Sequence, residues 1–485
     1  MRHLSLDPLV EQAGYGPFQR RLLWVCGLGW AADAMEVMLV SFALPAMAAE
    51  WSLTAAQKGL LATALFVGMF AGALIWGRLS DLVGRKFGFM ATIGVDSLFG
   101  LLSAFSPNFA VFLVLRMLTG FGVGGTLPVD YAVFAEFLPA KDRGKRLVLL
   151  ESFWALGTIA AAGLAWLLVP HLGWRALFVV SALPGLLLFA VRSYIPESPR
   201  YLAVSGKFDE AVRIIEQVAR YNGKELKVQA PEVLKQFLSD GASQDMSGQD
   251  RSLQDRTGQV RTAQDRASED KPVQEKALQG PLPSRVGALF SQELRRTTLL
   301  LWVIWFLISI GYYGIFTWLP SWLRTKGFAL PAVYPYSFFM ALAQLPGYFS
   351  AAYLVEKIGR RVTLGLYLAG SGLGAIAFSL AVSPAGIVGA ALVLSFFALG
   401  AWGALYAYTP EAYPTIIRTT GIGSASGMTR IAGMLAPFIG ALLSGSSLIA
   451  ALSVFAAAYG LAAFSAFILP HETWGAKLED GVMAA

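Results

Sequence analysis

Residues 77–86 read Gly77-Arg-Leu-Ser-Asp-Leu-Val-Gly-Arg-Lys86, and three of them return 275 positions later: Asp81, Gly84 and Arg85 as Glu356, Gly359 and Arg360. A second set keeps the same offset, Glu136, Pro139 and Arg143 recurring as Glu411, Pro414 and Arg418. One constant spacing across two separated motifs marks a chain built by duplication, a common plan among transporters. The repeat therefore divides the chain into two homologous halves.

The composition says what those halves are made of. The 485 residues are 56% hydrophobic and only 14% charged, whereas a soluble domain carries about 25% charge. Apolar runs long enough to cross roughly 30 Å of hydrocarbon occur twelve times. They lie near 22–45, 57–77, 87–106, 109–135, 147–169, 174–195, 297–323, 331–355, 362–382, 385–409, 420–443 and 447–469. The expected fold is an all-α membrane protein of twelve transmembrane helices in two six-helix bundles, residues 1–195 and 297–485, joined by a central segment, 196–296. The first run is too long for a signal peptide and is expected to stay as an anchor.

Orientation follows from the basic residues, which cytoplasmic loops retain. With the N-terminus inside, Arg85, Lys86, Arg143, Lys145, Arg360 and Arg361 are cytoplasmic, and outside loops hold only Lys58, Arg175, Arg324 and Lys326. Both termini are thus expected in the cytoplasm of a cell bearing this protein in its plasma or inner membrane. The loop bias also accounts for the net charge of +7, so lipid surface rather than nucleic acid is the implied partner. In the central segment, 206–223 has an apolar stripe at helical spacing (Phe208, Val212, Ile215, Val218). Residues 244–266 repeat Gln-Asp-Arg every five positions, a polar pattern expected, with its flanks (about 240–280), to be disordered.

Each loop motif sets an acid beside an Arg at a helix end, where a carboxylate can hold a guanidinium or a helix N-terminus. Asp81, Arg85, Glu136, Arg143, Glu356, Arg360, Glu411 and Arg418 are therefore candidates for a conformational gate, with ion pairs across the seam between bundles formed in one state and broken in the other.

Together with Arg116-Met-Leu-Thr-Gly-Phe-Gly-Val-Gly124, Pro196-Glu-Ser-Pro-Arg-Tyr-Leu202 and Pro410-Glu-Ala-Tyr-Pro414, these motifs resemble the signatures of the major facilitator superfamily in its sugar-porter-like branch. Trp30-Ala-Ala-Asp-Ala-Met-Glu36 and Leu127-Pro-Val-Asp-Tyr131 are similar to the niacin transporter and synaptic vesicle glycoprotein subgroup. The resemblance implies alternating access, and an acid on span 1 paired with Arg116 on span 4 for proton coupling. Asp33 is the residue that aligns with that acid.

Inside the spans, ionisable residues are few: Asp33, Glu36, Asp96, Arg116, Asp130, Glu151 and Arg430, with Arg192 near an end. Each is costly in hydrocarbon unless paired or wetted, which makes it a site candidate. Counting about 1.5 Å per residue from the outer span ends places Arg116 near ~10 Å depth, Glu36 near ~14 Å and Asp33 near ~18 Å. That estimate favours Glu36 as the partner, so both acids stand as candidates for proton coupling.

Arg430 sits among small residues on span 11, and a guanidinium there can bind a carboxylate bidentately. Trp30, Trp154, Tyr312, Tyr313, Phe316, Trp402 and Tyr406 could face it and would suit a flat ring. Gln344, a further candidate for the substrate site, is the one amide side chain within a span apart from Gln57 at a span's first position, too little to satisfy the hydroxyls of a sugar. The substrate reading is a small organic anion, an aromatic carboxylate such as nicotinate, carried with protons by a monomer. An organic cation, drawn by the acid surplus, is the alternative, and a sugar or a receptor role ranks lower. No cofactor is implied. Three His and one Cys, with no His-Glu-x-x-His, Gly-x-Ser-x-Gly or phosphate loop, leave no basis for an enzyme or an ATP-driven pump.

Overall fold

The computed structural model describes residues 6–139, 143–192, 195–205, 207–226, 287–414, 417–444 and 447–473. The Gln-Asp-Arg repeat lies outside the described residues, as do the side chains of Asp81, Arg143 and Arg418. No strand occurs among the described residues.

A short helix α1 (Asp7–Ala13) precedes α2 (Pro17–Glu50), α3 (Ala55–Val83), α4 (Arg85–Ser103), α5 (Phe109–Glu136), α6 (Arg143–Glu151) and α7 (Phe153–Arg192). Then come α8 (Pro199–Val204) and α9 (Phe208–Tyr221). The second half holds α10 (Arg295–Thr325), α11 (Leu330–Lys357), α12 (Arg360–Leu380), α13 (Pro384–Glu411), α14 (Arg418–Ser444) and α15 (Leu448–Phe467). Among the described residues, ten helices are long and apolar enough to span a bilayer. Two features bring the spans to twelve. The 19-residue α4 carries Arg85, Lys86 and Asp96 but has the length to cross. Gly173, at φ 76°, breaks α7 into two spans.

Within each half the helices pack on one another, α3 and α4 on α5 and α2 and α4 on α7, then α11 and α12 on α13 and α10 on α14 and α15. Lipid offers no hydrophobic drive for this, so close approach through small residues replaces it. A Cβ added to Gly68 would stand 1.9 Å from the Met117 carbonyl oxygen, and one added to Gly120 would stand 2.0 Å from that of Leu65. The duplicated half repeats the device where Gly347 meets the Phe396 carbonyl at 1.9 Å. Outward faces stay apolar, with Leu74, Leu167, Leu172, Leu373, Leu380 and Phe464 between 62 and 67% exposed.

The 275-residue repeat is carried into geometry. Gly84 (φ 121°) and Gly359 (φ 94°) adopt backbone angles open only to glycine and start α4 and α12. At the first of these helix starts, the Glu197 carboxylate accepts from the Lys86 amide at 3.0 Å. At the second, Glu472 accepts from the Arg360 amide at 2.7 Å. The two acids are themselves 275 apart and neutralise equivalent helix N-termini.

The seam joins α3 to α14, α7 to α11, α2 to α10 and α6 to α13. On the half remote from the chain's N-terminus it is held by contacts that lie beneath a recess lined by Pro45 and Lys58 of the first half and Trp322 and Ala441 of the second. There Thr63 donates to the Met434 carbonyl at 3.2 Å, and the Phe66 and Tyr313 rings meet at 4.8 Å. Trp166 meets Phe338 at 5.6 Å. On the N-terminal face, α9 buries Phe208, Val212, Ile215 and Val218, the expected stripe, and Asn222 ties it to α2 by accepting from the Phe18 amide at 3.0 Å.

Overpacking at a backbone contact costs typically 1–3 kcal/mol, so Gly68→Ala should lower the unfolding temperature of the detergent-solubilised protein by several degrees. Gly389→Ala, where nothing lies within 4 Å, should leave it unchanged.

Candidate functional site

At the core of the first half, Arg116 on α5 donates from Nη1 to Glu36 Oε2 at 2.7 Å and from Nη2 to the Glu36 carbonyl at 2.9 Å. The Ser181 hydroxyl lies 3.0 Å from the other carboxylate oxygen, and the guanidinium stacks 5.3 Å from the Phe178 ring centre. Arg116 and Asp33 are fully buried and Glu36 nearly so. Of the two candidate acids, Glu36 makes the ion pair, while Asp33 lies one turn earlier on α2. The sequence alignment and the geometry thus favour different members of the pair.

About two turns along α2, roughly 9 Å by helical rise, a cavity opens between the halves. Trp30, Trp154, Tyr312, Tyr313, Trp402, Tyr406 and Arg430, all anticipated, line it. Their rings pack on one another, Tyr312 edge to face on Trp402 at 6.1 Å, with Trp30 and Trp154 at 5.2 Å and Trp402 and Tyr406 at 6.0 Å tilted. Trp154 also donates across the seam to the Tyr312 hydroxyl at 3.2 Å. Phe316 and Gln344 do not line the cavity. Phe316 lies against Tyr312 at 4.7 Å and Gln344 beside the Tyr312 hydroxyl, both buried behind the wall. Helices apolar on every side give little sign of which face turns inward, and these two residues sit on the wrong one.

Six lining residues lie outside the substrate-binding set read from the sequence: Trp305, Tyr348, Leu399, Ser426, Thr429 and Glu151, the last singled out there only as an ionisable residue inside a span. Glu151 accepts from Trp30 Nε1 at 3.2 Å and from the Tyr131 hydroxyl, with Tyr406 beside it. Its partners come from α2, α5 and α13, so no local pattern could have found it. Arg430 is 8% exposed, and among the described residues no acid comes within ion-pair distance of it.

The gate candidates pair differently from expectation. Arg85 lies 3.5 Å from Glu136, which also accepts from Ser198. Arg360 bonds Glu411 at 3.0 Å and Glu356 at 2.8 Å. Among the described residues these bonds close inside one half rather than across the seam. The physical reason is adjacency: the end of α5 packs on the start of α4, and the end of α13 on the start of α12, within one bundle.

Twelve apolar spans around a central aromatic cavity with a buried guanidinium define a multi-pass membrane transporter, not an enzyme. The chain belongs to the Major Facilitator Superfamily, whose pattern matches residues 26–351. It is 36% identical over 439 residues to the niacin transporter NiaP of Acinetobacter baylyi, covering 90% of each chain. It is 33% identical to the synaptic vesicle 2-related protein of Xenopus laevis, over 98% of this chain and 82% of that one. The xylose transporter XylE of E. coli, in a partially occluded inward open conformation, superposes with a TM-score of 0.70 at 16% identity, covering 94% of this chain and 98% of that one.

Removing one member of a buried ion pair strands the other and costs about 3–5 kcal/mol. Arg116→Ala should accordingly melt far below the parent in detergent. Arg116→Ala with Glu36→Ala should recover part of the loss, which a thermal-unfolding double-mutant cycle reads directly.

Proposed function

We propose that the protein is a secondary active transporter that carries a small aromatic carboxylate, nicotinate or a close analogue, together with protons by alternating access. The observation that carries the reading is Arg430: a nearly buried guanidinium, with no described acid at ion-pair distance, in an aromatic-walled cavity between the halves. In an empty site the carboxylate that offsets that charge is Glu151, and it does so without an ion pair. A carboxylate ligand meets the guanidinium through two charge-assisted bonds while its ring fills the slot between Trp30, Trp154 and Trp402. The likeness to a niacin transporter supports the same chemistry.

In this reading, residues 1–195 and 297–485 are the bodies that rock, acting within one monomer, and 196–296 is the segment that joins them. The face bearing both termini is cytoplasmic, in the plasma or inner membrane. Closure of the opposite half of the seam then makes this the state shut to the outside. Glu36 and Arg116 couple the proton, since protonating Glu36 frees the guanidinium and alters how α2, α5 and α7 fit together. The described pairs, Arg85 with Glu136 and Arg360 with Glu356 and Glu411, fasten each half's own N-terminal face and keep each body rigid as the state changes, and Asp81, Arg143 and Arg418 stand as gate candidates on sequence grounds. An organic cation is the second reading, favoured by Glu151 among aromatic rings, and Arg430 in the same cavity weighs against it.

Uptake of labelled nicotinate into proteoliposomes tests the scheme. With an inward proton gradient, Glu36→Gln should lose accumulation against a gradient but keep nicotinate exchange. Accumulation that persists in Glu36→Gln assigns the coupling elsewhere. At Arg430 the loss should be graded. Arg430→Lys keeps the charge but loses the fork and should bind at least about tenfold more weakly, the equivalent of 1.4 kcal/mol, with Arg430→Ala weaker still. A preferred substrate without negative charge would overturn the anion reading.

A further inference from the structure

Among the described residues Glu151 is the one acid on the cavity wall, and it is 6% exposed at the end of α6. The elements around it present few titratable groups. Tyr131 comes from α5, Tyr313 from α10, Tyr348 from α11, Tyr406 from α13 and Arg430 from α14, while α2 and α7 present Trp30 and Trp154. Arg430 is the sole cation among the lining residues, so its field is the compensation Glu151 has within the cavity. No ion pair joins the two among the described residues, which leaves the guanidinium available to a ligand.

A carboxylate ligand that takes Arg430 puts two negative groups and one positive group into a cavity walled by rings, where like charges repel through a low dielectric. We propose that Glu151 resolves this by binding a proton, so that substrate and proton enter the central cavity together and leave together. The inference rests on the anion reading of Arg430, and it places a second protonation event away from the Glu36 and Arg116 pair. The exchange balances simply: Glu151 Oε1 gains a proton from the aqueous side, and no other bond is made or broken.

The surroundings suit both forms of the acid. Ionised, Glu151 accepts from Trp30 Nε1 at Oε2 and from the Tyr131 hydroxyl at Oε1. Protonated at Oε1, it donates to the Tyr131 oxygen, since a phenol both gives and takes a hydrogen bond. The Trp30 bond to Oε2 survives either way.

Isothermal titration of the purified full-length protein, in buffers of different ionisation enthalpy, tests the proposal with benzoate and nicotinate as probes. Wild type should take up one proton per probe bound. Its affinity should fall about tenfold per pH unit over the range in which the empty protein has Glu151 ionised. Glu151→Gln should bind with a pH-independent affinity and no proton uptake, which separates this binding-linked proton from the one that Glu36 carries during the change of state. Proton uptake persisting in Glu151→Gln overturns the inference and leaves the anion reading standing. If Glu151→Gln does not fold, Tyr131→Phe serves instead, and an unmoved midpoint in its affinity profile counts as refutation. If neither probe binds wild type, the anion reading falls, and infrared spectra of the empty protein decide Glu151. Arg430→Gln should then show a carboxylic-acid C=O band that is lost in Arg430→Gln with Glu151→Gln, and absence of that band overturns the proposal.

Discussion

A charge inside a bilayer has no water to turn to, and each one kept there must find a partner or a task. That constraint organises this molecule. Arg116 and Glu36 satisfy it by pairing, with the guanidinium donating from both Nη atoms to one carboxylate oxygen and a backbone carbonyl while Ser181 attends the other oxygen and Nε alone is left without a described partner. Glu151 satisfies it with neutral donors, a tryptophan N–H and a phenol. Arg430 is met by no described carboxylate, and so the cavity it faces is where a ligand's charge is wanted. The three arrangements grade from closed to open, and their order runs along the path from the bundle core to the seam.

The same economy shapes the N-terminal face. Glu197 and Glu472 each cap a helix that begins at a glycine with positive φ, and the Arg one residue on turns back to an acid ending the packed neighbour. Because these bonds stay inside a half, they stiffen the body that moves and do not tie the two bodies together. A change of state can then proceed through the seam without dismantling them.

Much of this was legible in the chain. The 275-residue offset located the duplicated motifs, and a constant helical rise was enough to favour Glu36 over Asp33 as the partner of Arg116, since depth in a bilayer is a one-dimensional quantity that counting can reach. Rotation about the helix axis is not. Phe316 and Gln344 were placed on the cavity wall because α10 and α11 are apolar on every side, and nothing in such a sequence says which side turns inward. Glu151 was visible as a buried acid but not as a wall residue, because Trp30, Tyr131 and Tyr406 reach it from three separate helices. Glu472 shows a nearer miss: it stands at the same offset from Glu197 as every other repeated residue, but the residues around it have diverged.

The glycine contacts between α3 and α5, and between α11 and α13, put backbone against backbone with no side chain interposed. A substitution there has nowhere to go. The cavity, in contrast, is walled by side chains projecting from helices whose spacing is set elsewhere, so exchanging a tryptophan for a leucine, or an arginine for an acid, alters what the slot holds without shifting the frame. Such a chassis lets selection rewrite cargo one residue at a time while the rocking machinery is inherited intact, and chains of this architecture can diverge in what they carry long before they diverge in shape.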